Sequence, residues 1–127
     1  MSKVVLDAST SLALVNQEPG QEVVAELLPR SLVSAVNVSE FVAKLIDQGM
    51  PENEVQDVLK ALDLTVTPFD SQQGVIAGYL RATTRHWGLS LGDRACLALR
   101  LQTCCPIVTA DQAWAKLDIG LEIRVIR

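Results

Sequence analysis

Short apolar runs alternate with stretches of helical spacing along the whole chain. Residues 3 to 7, KVVLD, form an apolar run ending in an acid, and ASTSLALVN continues with Leu12, Ala13, Leu14 and Val15 at positions that suit a helix. This predicts a strand-to-helix junction at Asp7. The segment Gln17 to Gly20, with Pro19, breaks the pattern, and QEVVAELL predicts a second helix stopped near Pro29. The scheme repeats in LVSAVNVSEFVAKLIDQG, where a β-branched run near residues 32 to 36 precedes a helix with Phe41, Val42, Leu45 and Ile46 on one face. Asn37 and Glu40 have the spacing of a capping box. Gly49, Met50 and Pro51 mark a helix end and a new start, so residues 38 to 63 read as a helical hairpin whose second arm carries Val55, Val58, Leu59 and Leu62. LTVTPF predicts a third strand, leading into Asp70 and a long helix to about His86 closed by Gly88. A further helix starts in SLGDRACLALR, PIVTAD supplies a fourth strand, DQAWAKL a short helix and EIRVIR a terminal strand.

This alternation predicts an α/β fold. A mainly parallel five-stranded sheet is flanked by helices in a three-layer sandwich with right-handed crossovers, and carries the helical hairpin as an addition. There is no internal repeat, low-complexity tract or linker, and 127 residues at 49% apolar content are enough for one core, so residues 1–127 are read as a single domain. The apolar runs fall far short of the roughly 20 residues that span a bilayer. MSKVVLDAS has no apolar signal core before its first acid, which predicts a cytoplasmic protein with no membrane partner.

Cysteines and histidine exclude several chemistries. Cys96, Cys104 and Cys105 are an odd set with two neighbours adjacent, which suits neither a disulfide framework nor a paired-cysteine zinc site, and buried reduced thiols are expected. His86 is the sole histidine, so a Ser-His-Asp triad or a His-rich metal site is disfavoured, and a partly exposed helix-end ring is expected. A net charge of −4 argues against coating nucleic acid by charge alone, and five aromatic residues are too few for an extended base-stacking platform. An acidic protein can still process a polyanion at one crevice where a bound cation inverts the local sign.

Asp7, Glu40 and Asp111 each follow the carboxyl end of a predicted strand, the edge at which open α/β sheets bind ligands. Asp93 begins the helix that precedes the fourth strand, so its first turn can reach the same edge. Each acid also has a local reading: Asp7 and Asp111 as helix N-caps, Glu40 and Asp93 as partners in capping boxes. Capping and ligation are compatible, because a helix N-terminus favours the ionised carboxylate. Converging carboxylates repel unless a cation compensates them, and a hard divalent ion with oxygen ligands and several retained waters suits a shallow acidic crevice. Asp70 also follows a strand, but in a sheet of order 3-2-1-4-5 it lies at the edge and is read as a plain N-cap.

The stretches VVLDAS, SAVNVSEFVAKL, GLSLGDRACLALR and PIVTADQAWAKL resemble the four acidic signatures of PIN-domain ribonucleases, specifically toxins of the VapC type, over nearly the full chain. The resemblance implies a PIN-like sandwich and makes Asp7, Glu40, Asp93 and Asp111 a catalytic quartet around Mg²⁺ or Mn²⁺. It also implies a metal-dependent endoribonuclease, an antitoxin partner that blocks the acidic site, and a homodimer. Within the quartet, Asp7 and Asp93 are read as direct metal ligands, while Glu40 and Asp111 orient the attacking water or complete a second ion site. Ser9 and Thr109, each two residues from an acid, are assigned to a neighbouring carboxylate or a substrate phosphate, and Arg81, Arg85 and Arg94 to RNA phosphates. The hairpin's apolar stripe is read as core or as the dimer contact. Two other classes compete: a receiver-like Mg-binding signalling domain, which needs a phospho-accepting Asp at the third strand, and a non-catalytic protein-binding α/β module. A D-x-D phosphatase is disfavoured because Ser9 stands two residues after Asp7.

Overall fold

In the computed structural model, which describes residues 2–127, five short strands form one sheet: β1 (Val4–Leu6), β2 (Ser31–Ser34), β3 (Val66–Thr67), β4 (Ile107–Thr109) and β5 (Ile123–Val125). The spatial order is β3-β2-β1-β4-β5 and every pairing is parallel, with Val5 opposite Leu32 on one side and Ile107 on the other. Receiver-type sheets follow the order 2-1-3-4-5, so the topology removes that alternative. β3 is an edge strand, and Asp70 after it is an N-cap whose side chain accepts from the Gln73 amide at 3.0 Å.

Among the described residues six α-helices pack around the sheet: α1 (Ala8–Val15), α2 (Gln21–Leu27), α3 (Ala35–Asp47), α4 (Glu52–Leu62), α5 (Ser71–Thr84) and α6 (Leu91–Thr103). The central strand β1 is buried on both faces, as a parallel sheet covered by crossover helices requires. Its side chains divide with the strand's period of two. Val4 and Leu6 join Val24 and Leu27 of α2, whereas Val5 joins Leu97 and Leu99 of α6 on the opposite face. Each fully buried aliphatic side chain of this kind contributes about 1.5–3 kcal/mol.

Three local expectations are corrected. β2 ends at Ser34, whose hydroxyl accepts from the Val36 amide and caps α3, so Asn37 and Glu40 lie inside the helix and form no capping box. The β-branched residues up to Val36 resemble a strand continuation, but a serine able to cap begins the helix earlier. Pro29 does not stop α2 outright; it lies in a 3₁₀ turn, Leu28–Arg30, that extends it. Of the cysteines only Cys96 is buried: Cys104 is exposed in a left-handed conformation that ends α6, and Cys105 is half-buried. The hairpin itself is present as α3 and α4, and most of its apolar stripe is spent within the chain. Phe41, Leu45 and Val55 form a buried cluster with Leu12 and Val15 of α1, leaving Ile46 43% exposed. No helix among the described residues is long and apolar enough to cross a membrane.

Candidate active site

The site is assembled where β1 and β4 end side by side, with helices starting around them. Asp7 follows β1 directly and is 7% exposed. Its Oδ1 accepts from the Ser9 hydroxyl at 2.6 Å and from the Thr10 amide at 3.2 Å, which makes it the N-cap of α1. Its Oδ2 accepts from the Thr109 hydroxyl at the end of β4. Ser9 and Thr109 accept in turn from the amides of Ala110 and Asp111, at 2.9 and 3.0 Å. Both hydroxyl protons are therefore given to Asp7, and of the two assignments made for Ser9 and Thr109 the structure places them as carboxylate partners. Burial pushes the Asp7 carboxyl above its ordinary value of 3.8; the hydrogen bonds from Ser9, Thr109 and Thr10 oppose this, and the negative charge of Asp93 adds to it.

Glu40 reaches the same edge from the second turn of α3. Its Oε1 accepts from the Asn37 amide nitrogen at 2.8 Å, and that nitrogen also donates to the Gly92 carbonyl at 3.0 Å, tying α3 to the first turn of α6. Glu40 lies so close to α6 that a Cβ on Gly92 would overlap its carboxylate. A side chain there would force that carboxylate out of its place, so glycine is what lets the two meet this closely, although the helix itself would favour another residue. Neither Gly92 nor Asn37 was singled out as a site residue from sequence. The glycine immediately before Asp93 in SLGD was the available signal, but its reason is a contact 52 positions away in the chain.

Asp93 and Asp111 perform their local roles as well. Asp93 Oδ2 accepts from the Ser90 amide at 3.0 Å while the Ser90 hydroxyl accepts from the Asp93 amide at 3.1 Å, a complete capping box. Asp111 caps the 3₁₀ turn Gln112–Lys116 by accepting from the Ala113 amide at 3.0 Å. Beyond those caps, all four acids line one cleft of about 240 Å³, together with Asn37 and Lys44. Lys44, one turn after Glu40, is the cationic side chain of that cleft and was also missed from sequence, where it reads as an ordinary exposed lysine of an amphipathic helix.

Beneath the cleft, burial pushes the Cys96 thiol well above 9.0, and the charges of Asp7, Asp93 and Glu40 push it further the same way, so this cysteine stays protonated and inert. The basic residues are not brought into the cleft. Arg81 and Arg85 are exposed at the end of α5 and in the turn after it, and Arg94, half-buried, donates to the Ala77 carbonyl at 3.1 Å. His86 is exposed at the helix end, as expected.

The donor set fits a hard divalent cation. Every charged donor is a carboxylate oxygen, and among the described residues one oxygen each of Glu40, Asp93 and Asp111 has no hydrogen bond. Asn37 Oδ1, on a side chain 1% exposed, is buried with no partner at all while lining the cleft, which is the kind of orphan acceptor that an ion or an ordered water satisfies. Among the described residues no three His, Cys, Asp or Glu side chains stand close enough to hold one ion directly. Waters would therefore fill much of the coordination shell, as Mg²⁺ prefers.

The family model of the PIN domain matches residues 4–120. The chain belongs to the PIN domain family. Among solved structures, this PIN domain is similar to a chain of the DNA-bound VapBC crystal structure from Salmonella typhimurium, at a TM-score of 0.77 with 20% identity over 100% of both chains. It is also similar to a chain of a toxin-antitoxin complex from Klebsiella pneumoniae, at 0.71 with 15% identity over 91% of this chain and 92% of that one. A third likeness is to FitAcB from Neisseria gonorrhoeae, at 0.70 with 20% identity over 95% and 96%. At such identities the likeness establishes the fold. No curated protein matches the chain.

Proposed function

We propose that this PIN domain is the toxin of a toxin–antitoxin pair, a cytoplasmic endoribonuclease that hydrolyses RNA phosphodiester bonds with Mg²⁺ or Mn²⁺ in its acidic cleft. The observation that supports it most is the gathering of Asp7, Glu40, Asp93 and Asp111 around one cleft, beside a buried acceptor that lacks a partner. The VapBC complexes of the same fold support an antitoxin as partner.

In this reading Asp7, locked by Ser9, Thr109 and Thr10, and Asp93, locked by Ser90, would hold a divalent cation, which when bound would offset the mutual repulsion of the carboxylates and steady charge on the phosphoryl group. The free oxygens of Glu40 and Asp111 orient a water for in-line attack, and Lys44 approaches the phosphate from the cleft wall. The water oxygen bonds to phosphorus, the bond from phosphorus to O3′ breaks and a proton ends on O3′, leaving a 5′-phosphate and a 3′-hydroxyl. Arg81 and Arg85 hold more distant phosphates of the strand, whereas one donor of Arg94 is committed to Ala77.

Purified wild type should cleave RNA only with Mg²⁺ or Mn²⁺ present. Asp93→Asn should lose at least about a hundredfold, the scale on which removing an acid–base or positioning group acts, while keeping the wild-type circular dichroism. Mapped cuts with 5′-phosphate ends support the reading; undiminished cleavage by Asp93→Asn, or cleavage in excess chelator, refutes it.

A further inference from the structure

Next to the acidic cleft is a second cavity of about 330 Å³, within the size range of small-ligand sites, and it shares Asp93 and Asp111 with the cleft as a common wall. Its other walls include Trp87, Leu89, Trp114 and Lys116. Trp87 sits half-buried in the 3₁₀ turn after α5, and the His86 ring lies against it at a centroid distance of 4.9 Å. The turn is closed by Gly88 in the left-handed region at φ +66, so the chain reverses directly behind the indole. Trp114, by contrast, is 2% exposed and anchors the 3₁₀ turn carrying Lys116 to the core under β1 and β4. The cavity is thus an aromatic wall and an apolar floor with a lysine at its rim, opening onto the carboxylates proposed to cut RNA.

We propose that this cavity is a nucleobase subsite. One base next to the scissile phosphate stacks on the Trp87 indole, and Lys116 meets the phosphate on the far side of that nucleotide. The inference rests on the ribonuclease reading above and extends it to where the strand lies. Every base has a π-face for an indole to stack on, and the chain's few aromatics suit one such contact rather than a platform. Because the cavity adjoins the acidic cleft at Asp93 and Asp111, the nucleotide next to a phosphate cut in the cleft is within reach of it. The single lysine at a rim otherwise walled by apolar and acidic groups complements a phosphate. A peptide side chain is the competing occupant, and the test separates the two.

The chain has two tryptophans, and both line this cavity, so its intrinsic tryptophan emission reports from this one place. With Mg²⁺ present and emission read on rapid mixing, before cleavage proceeds, a short single-stranded RNA should quench that emission in wild type. Trp87→Ala should raise the dissociation constant and KM by roughly five- to a hundredfold, the range found for losing one stacked base. It should leave kcat within about a factor of three, because the cutting carboxylates are untouched; Trp87→Phe, which still stacks, should recover most of the affinity. Once the cut is mapped, an abasic nucleotide on one side of it should raise KM in wild type by a similar factor and add little in Trp87→Ala. Emission indifferent to bound RNA, or Trp87→Ala binding and cutting as wild type does, overturns the subsite while metal-dependent cleavage keeps the ribonuclease reading intact. Emission that responds only to the antitoxin assigns the cavity to a protein partner and likewise overturns it. Wild type that neither binds nor cuts RNA removes both proposals.

Discussion

Gly92→Ala isolates the contact on which the approach of α3 to α6 depends. Alanine is ordinarily the better helix former by about 1 kcal/mol, and Gly92 lies in the first turn of α6 with no unusual backbone angle to forbid it. Its added methyl would instead occupy the space of the Glu40 carboxylate. Overpacking of this kind costs about 1–3 kcal/mol. Displacing Glu40 also breaks its hydrogen bond from Asn37, and one to a charged group is worth about 1.5–3 kcal/mol. Because Glu40 is half-buried and can swing partly into solvent, the net loss should fall near the low end, about 1.5–3 kcal/mol after the helix gain is counted. For a chain of this length the entropy of unfolding is about 0.27 kcal/mol/K, so the midpoint in a thermal scan should drop by roughly 6–11 °C. Gly78→Ala is the internal control. It lies in α5 with nothing within 4 Å of the added carbon, so there the same change should raise the midpoint by about 2–4 °C. Combining Gly92→Ala with Glu40→Ala should cost much less than the two separately, the signature of a relieved direct clash. If Gly92→Ala melts at or above the wild-type temperature and still cleaves RNA, Glu40 does not occupy the position described and the assembly of the site is wrong.

Other expectations concern charge and association. The Asp7 carboxyl titrates above 3.8 in the folded protein, chiefly because of burial, so the native state holds its proton to higher pH than the unfolded chain does. Stability without metal should therefore decline as pH rises from about 4 through the raised value. Asp7→Asn should flatten that decline in urea melts and abolish cleavage; an equally steep decline in the variant would show that Asp7 is not its source. If Arg81 and Arg85 hold RNA phosphates, neutralising both should reduce the slope of log affinity against log salt by about 1.4, about 0.7 for each contact to a single strand, and an unchanged slope excludes them. Tyr79, 77% exposed on α5 beside the exposed Val75 and near Leu101 of α6, makes this face the proposed contact between two copies of the chain in place of the hairpin stripe. Sedimentation should then show a dimer that Tyr79→Lys dissociates, and a wild-type mass that stays monomeric at all concentrations rejects the dimer.

Much of the architecture was legible in the chain because the signals are local. The switch between runs of period two and stripes of period 3.6 located five strands and the helices between them. Pro51 and Gly88 placed two boundaries, and Ser90 with Asp93 announced a capping box that is present. The four acids stood out because they follow strand ends, and parallel strands bring their carboxyl ends to one edge whatever the details of packing. That inference still required the strand order, which was assumed, and the order β3-β2-β1-β4-β5 is what set Asp70 aside and admitted Asp111.

What only the tertiary structure decided are contacts between residues far apart in sequence. Nothing in a one-dimensional pattern states that Gly92 must lack a side chain to admit Glu40, that Thr109 hydrogen-bonds Asp7 across two strands, or that the hairpin stripe is consumed by α1. Lys44 and Trp87 each read as an unremarkable residue near a helix end until packing turns one toward the acids and the other toward the neighbouring cavity. Periodicity encodes which face of an element is apolar. Which partner that face meets depends on distances between distant segments, and those are set only when the core closes.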